Sequence, residues 1–246
     1  MPLQAIYDKH GEREVLNPIN EFTYEFLNNL ISEIKATFVD DFIHLGMDEV
    51  YYRCWESNPN ISLWMKENDF NTTKQVEQYF MTRVLTLVSK MKYKSIVWQD
   101  VWDNGVKVFN DSILQIWKTS ENIGWQSYIS KATAEGYKTI LSSPWYLNYI
   151  KYGSDWYEFY KVEPHEFEGT SEQKALVIGG EACMWSEFVD GTNSLSRLWP
   201  RASAVAERLW SPKNVNDVEE AKFRLKFSFL VYLDLYRALL NFVIFC

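Results

Sequence analysis

Five short apolar runs recur along the chain at wide intervals. They begin near residues 42, 96, 113, 137 and 176, a mean spacing of roughly 33 residues, close to the ~31 per unit of a (β/α)8 barrel of ~250 residues. The runs read as strands over 42–46, 95–98, 113–117, 137–141 and 176–179. Helical patterns separate them. Asn20 can cap a helix over 20–37, with Phe22, Phe26, Leu30 and Ile34 on one face. Thr72 and Gln75 form a capping-box pair ahead of a helix over 72–91, with Val76, Phe80, Val84, Leu87 and Met91 on its apolar face. Further helical patterns close at 131–136 and span about 217–226. Strands alternating with helices imply a parallel sheet with right-handed crossovers. Five barrel units fit the pattern. Three more would need on the order of 100 residues ahead of the first strand, and 41 residues precede it. The expected fold is therefore α/β, an incomplete (β/α)8 TIM barrel lacking its first three strands. It would occupy 1–226 and be followed by an apolar tail at 227–246.

The first strand runs into two adjacent carboxylates, in Phe42-Ile-His-Leu-Gly-Met-Asp48-Glu49. Neighbouring side chains in a regular strand point to opposite faces. Two adjacent acids share a site only where the strand breaks, and Gly46 supplies that freedom. Such a pair suits general acid–base chemistry at the C-terminal end of a barrel strand; the alternative is a solvated Asp-Glu dipeptide. Other strand ends also carry Trp beside polar groups. One ends in Trp98-Gln-Asp100, another in Trp117. A third leads into Pro144-Trp-Tyr146-Leu-Asn148, and the last into Glu181-Ala-Cys-Met-Trp185-Ser-Glu187. Each Trp alone is explained by packing; their recurrence at successive strand ends points to a site.

The chain holds 11 Trp and 15 Tyr, and aromatics make up 17% of it. Sugar rings stack on Trp faces, which makes carbohydrate a natural ligand; an aromatic core is the alternative. Net charge is -8 with no basic run, which excludes nucleic acid as a partner, since phosphate binding needs clustered Lys and Arg. Cys54, Cys183 and Cys246 match no zinc or redox spacing. Asn60, Asn71 and Asn110 each open an N-glycosylation acceptor sequence, a weak pointer to a secretory route. Residues 1–20 carry charges and no apolar core, so they do not read as a signal peptide.

The runs FIHLGMDEV, CWESNP, SIVWQDVWD, SSPWYLN, YGSDW, YKVEP, ALVIGGEACMWSE and RLWPRASAVAERLWS carry a family resemblance across roughly residues 17–225. The chain resembles the C-terminal part of the catalytic domain of β-N-acetylhexosaminidases of glycoside hydrolase family 20, animal lysosomal α/β-subunit type. The resemblance implies removal of terminal N-acetylhexosamine residues by a substrate-assisted, retaining route. It also implies glycans bearing N-acetylglucosamine or N-acetylgalactosamine as substrates, with no cofactor and no metal. A homo- or hetero-dimer and a lysosomal or secreted location follow from it too. In this resemblance Glu49 is the general acid and base. Asp48 orients the acetamido N–H and stabilises the oxazolinium charge, and Tyr146 hydrogen-bonds the acetamido oxygen. Trp98, Trp117 and Trp185 line the pocket, and Asn148 and Glu187 bind sugar hydroxyls. Tyr149 follows Asn148, so no basic residue there favours acidic sugars.

The resemblance also marks departures. The family's sugar-gripping Arg and its active-site Asp and His belong to earlier strands, and His10 and Arg13 do not sit in those contexts. The family partner of Cys54 would fall near Ile6. Beyond Leu225 the match ends. The tail reads as an aberrant sequence, a short packing helix or a membrane span; Asp234, Arg237 and Asn241 argue against the last, because central charges are costly in lipid. A different class of function stays open: a non-catalytic fragment that binds sugar or a partner protein.

Overall fold

The computed structural model describes residues 15–120 and 122–225. Ile6, His10, Arg13, Cys246 and the tail at 227–246 lie outside the described residues. These residues form two compact units. The first holds residues up to Gln115 together with Gly136–Lys138; the second holds Ile116–Glu135 and the chain from Thr139 onward.

In the first unit, β1 (Phe42–His44), β2 (Lys94–Trp98) and β3 (Ile113–Ile116) run parallel in that order. Ile43 pairs with Ser95 and Val97 with Leu114. Five helices accompany them: α1 (Glu21–Thr37), α2 (Tyr52–Glu56), α3 (Pro59–Glu67), α4 (Thr73–Lys90) and α5 (Asp100–Asp103). β1 is two residues shorter than expected. The chain leaves strand geometry as Gly46 and Met47 turn to φ values of 68° and 71°, a left-handed conformation that no strand residue adopts.

The two long helices start as expected. The Asn20 side chain accepts the Phe22 N–H at 3.1 Å. The Thr72 N–H donates to Gln75 Oε1 at 3.0 Å. On α4 the expected face is buried in part: Val76 and Val84 are sealed in the core and Phe80, Leu87 and Met91 are half-buried against it, while Met81, Leu85 and Val88, outside that face, are also buried. On α1 the outcome differs. Phe22, Phe26 and Leu30 are exposed, while Tyr24, Leu27 and Ile31 pack with Val84, Val88 and Tyr93. The helix carries apolar residues on more than one face, and α4 covers only one of them. Beside it lies an apolar groove of about 370 Å³ lined by α1 residues Leu30 and Ile34 and by Ile43, Leu45 and Met47.

In the second unit, β4 (Lys138–Leu141) and β5 (Val177–Gly180) are parallel, with a bulge that skips Ile178. Its helices are α6 (Trp125–Ala134), α7 (Trp156–Lys161), α8 (Ser171–Ala175), α9 (Ser194–Leu198) and α10 (Arg201–Trp210). Residues 218–225 are also helical, within the expected 217–226. α10 packs on α7. Trp145 is fully buried and its Nε1–H donates to the Phe159 carbonyl at 3.0 Å. A Cβ on Gly180 would overlap the Trp145 ring, so only glycine lets β5 pass this close. Among the described residues no helix is long and apolar enough to cross a membrane.

Candidate active site

Each unit carries part of the expected site. In the first, the loop after β1 stays in register with β2. The Leu45 N–H donates to the Ile96 carbonyl at 2.9 Å, and the Trp98 N–H donates to the Gly46 carbonyl at 2.9 Å. This register sets buried Trp98 against the turn that precedes the carboxylates. Gly46, Met47 and Glu49 all have positive φ. Two non-glycine residues in this region within one loop mark stored strain of the kind found at functional sites. Asp48 and Glu49 are both exposed.

Two residues absent from the sequence reading hold this loop. The Gly46 N–H donates to His44 Nδ1 at 3.0 Å. Nδ1 is thus the acceptor, so Nε2 carries the proton and donates to Gln115 Oε1 at 3.0 Å. The imidazole meets the Trp98 ring edge-on, with centroids 5.1 Å apart. The available signal was a polar residue interrupting each apolar strand: His44 in Phe42–Leu45 and Gln115 in Ile113–Ile116.

The same unit holds a buried carboxyl. Glu77, on α4, is 0% exposed. It accepts the Tyr52 hydroxyl at 2.5 Å and the Asn104 amide at 3.3 Å. Burial raises the Glu77 carboxyl above the usual carboxylate range, and the nearby Asp100 charge adds to the rise. Tyr52 follows Glu49 by three residues, and Asn104 caps α5 just after Trp98.

In the second unit, Tyr146 lies 6.3 Å from Trp117 between ring centroids and stacks on Tyr149 at 5.4 Å. The segment carrying it is held by backbone bonds. The Ser142 N–H donates to the Ile116 carbonyl at 2.8 Å, the Cys183 N–H to the Trp145 carbonyl at 3.0 Å, and the Leu147 N–H to the Cys183 carbonyl at 2.7 Å. Asn148 is buried, and among the described residues its Oδ1 has no hydrogen-bond partner. An unsatisfied buried acceptor is uncommon in native proteins and gains from any donor brought to it. Trp185 and Glu187 stand exposed on the loop after β5. Cys183, on the same loop, is buried, which pushes its thiol up to about 11, with the Glu181 charge adding to this; it is not a reactive thiolate.

Parallel strands alternating with helices, with acids and aromatic rings on the loops after the strands, place the chain in the α/β, TIM-barrel class. Residues 3–213 match the model of glycosyl hydrolase family 20, catalytic domain, and the chain belongs to that family. It is 47% identical over 227 residues to the beta subunit of beta-hexosaminidase of Mus musculus, covering 91% of this chain and 42% of that protein. It is 49% identical over 210 residues to the alpha subunit of the same species, covering 85% and 40%. The chain thus spans about two fifths of the length of these curated relatives. Among solved structures, the chitobiase of Flavobacterium johnsoniae superposes with a TM-score of 0.75 at 28% identity, over 91% of this chain and 33% of that one. The exo beta-N-acetylglucosaminidase of Vibrio harveyi, in complex with N-acetylglucosamine, shares the fold with a TM-score of 0.79 at 23% identity, over 94% and 37%.

Proposed function

We propose that the protein carrying this chain hydrolyses terminal non-reducing N-acetylhexosamine residues from N-acetyl-β-hexosaminides, with retention and substrate assistance. The carrying observation is the Asp48–Glu49 pair on a strained loop directly after β1, tied to Trp98 of β2. The acetamido oxygen of the substrate attacks its own anomeric carbon as the glycosidic C–O bond breaks. Glu49 gives its proton to the leaving oxygen, Asp48 receives the acetamido N–H, and an oxazolinium ion forms. Glu49 then takes a proton from water, which opens the oxazolinium and restores the configuration. Tyr146 donates to the acetamido oxygen. Trp98, Trp117 and Trp185 serve as apolar walls, and Asn148 and Glu187 take sugar hydroxyls. Substrates are glycans ending in N-acetylglucosamine or N-acetylgalactosamine. A lysosomal or secreted location fits the exposed asparagines of all three glycosylation sequences, and a homo- or hetero-dimer fits relatives named as alpha and beta subunits.

We further infer that residues 1–226 belong to one partial (β/α)8 barrel lacking its first three strands, and that 227–246 is an apolar tail whose sequence diverges from the family. Two observations support this. β1 pairs with β2 alone among the described residues, and the apolar face of α1 and the groove beside it are left uncovered. The same observations support the alternative, an inactive fragment or a remnant that binds sugar or a partner protein.

The test is hydrolysis of an aryl β-N-acetylglucosaminide by the natural protein and by its Glu49→Gln variant. The variant should lose at least ~10²–10⁴-fold in turnover, the usual worth of a general acid. Unchanged turnover would remove Glu49 from the mechanism.

A further inference from the structure

We propose that Arg201 is a positioning residue for the acetamido-binding segment, an inference that rests on the proposed roles of Tyr146 and Asn148. Arg201 opens α10 and is 6% exposed. Its Nε–H donates to Asp155 Oδ1 at 2.9 Å, and its Nη1–H donates to the Leu147 carbonyl at 2.7 Å. Leu147 is the residue between Tyr146 and Asn148. Its N–H already donates to the Cys183 carbonyl, so both of its backbone polar groups are fixed, one by the loop after β5 and one by α10. The two proposed ligand-binding side chains project from either side of that doubly held peptide.

The chemistry of the clamp is specific to arginine. A buried guanidinium is costly unless paired, and a core needing only bulk here would be met by an apolar residue. A fork with several donors in fixed directions reaches a carboxylate and a carbonyl at once, whereas an ammonium on a flexible stem does not reproduce that geometry. Among the described residues Asp155 Oδ2 has no hydrogen-bond partner, so the hydrogen bonding seen for the Asp155 carboxylate runs through Arg201. Misplacing a substrate-positioning group by about 1 Å is enough to cost ~10²-fold in rate.

The experiment uses the natural protein with Arg201→Lys, Asp155→Asn and, as a control for the site itself, Tyr146→Phe. Each is assayed for kcat and KM on aryl N-acetyl- and N-trifluoroacetyl-β-glucosaminides, alongside its melting transition. A trifluoroacetamide is the weaker internal nucleophile, so the rate ratio between the two substrates reports how well the acetamido group is held. Arg201→Lys should lower kcat ~10–100-fold and shrink that ratio, with KM moving less than kcat and melting still cooperative. Asp155→Asn should shift both in the same direction by less. Arg201→Lys and Asp155→Asn proteins that fold and keep the parent kcat and ratio would overturn the proposal, as would loss of the fold in both. If Tyr146→Phe changes neither quantity, the site reading itself fails and this inference falls with it.

Discussion

The loop at 45–49 and the segment at 142–148 are built on opposite principles. The first carries exposed carboxylates on a backbone with three left-handed residues. It is held by His44 on its own strand, itself bonded to Gln115 of β3, and by the N–H of Trp98 on β2. The second is buried, extended at Tyr146, and fixed by Ile116, the loop after β5 and α10, all in its own unit. A group that must give and take protons needs access and an adjustable setting. Groups that fix the attitude of an acetamido group need rigidity before the substrate arrives. On the proposed roles, strain falls on the loop that bears the carboxylates and packing on the segment that bears Tyr146 and Asn148.

The largest expected effect tests the packing side. Trp145→Ala empties a fully buried site against Gly180 and removes the bond to the Phe159 carbonyl. It should cost about 3–5 kcal/mol, read as the shift in a denaturant unfolding midpoint. Phe26→Ser, on the exposed face of α1, should stay within about 0.5 kcal/mol. Equal losses would show that α1 is covered in solution and that the contrast between the units is overstated.

Next in size is the test of the strained loop. Asp48→Asn should slow hydrolysis of an aryl N-acetylglucosaminide by ~10²–10³-fold, the worth of one group stabilising developing charge. The preference for that substrate over the matching glucoside should fall in step. A variant with intact preference would detach Asp48 from the acetamido group and leave Glu49 to act alone.

What the sequence revealed follows the same contrast. The strands were legible because their apolar runs are short and bounded, and Asp48 and Glu49 because adjacency after a strand is itself a signal. The end of β1 was misjudged by two residues, since composition does not disclose the φ values of Gly46 and Met47. The exposed face of α1 was out of reach for another reason. Periodicity tells which residues share a face, not whether anything covers them. The short helices α2, α5 and α8 are too brief to show a period at all. Residues that hold the site stayed hidden because their partners are remote in the chain: His44 meets Gln115 across 71 positions and Arg201 meets Leu147 across 54.

The smallest effect is a pH dependence. Glu77, on α4, is fully buried and faces Tyr52 from α2, Asp100 and Asn104 from α5, and Lys74 on its own helix. Burial first, then the Asp100 charge, makes its carboxyl hold a proton more tightly in the folded protein than in the unfolded chain. The stability this contributes is complete below the ordinary value of 4.5 and is lost as pH rises through the higher folded value. The parent should therefore lose melting temperature relative to Glu77→Gln as pH climbs through that window. The gap should close or reverse on acidification, when Glu77 is protonated and resembles the amide. Parallel curves from acid to neutral pH would mean that Glu77 does not change its charge on folding.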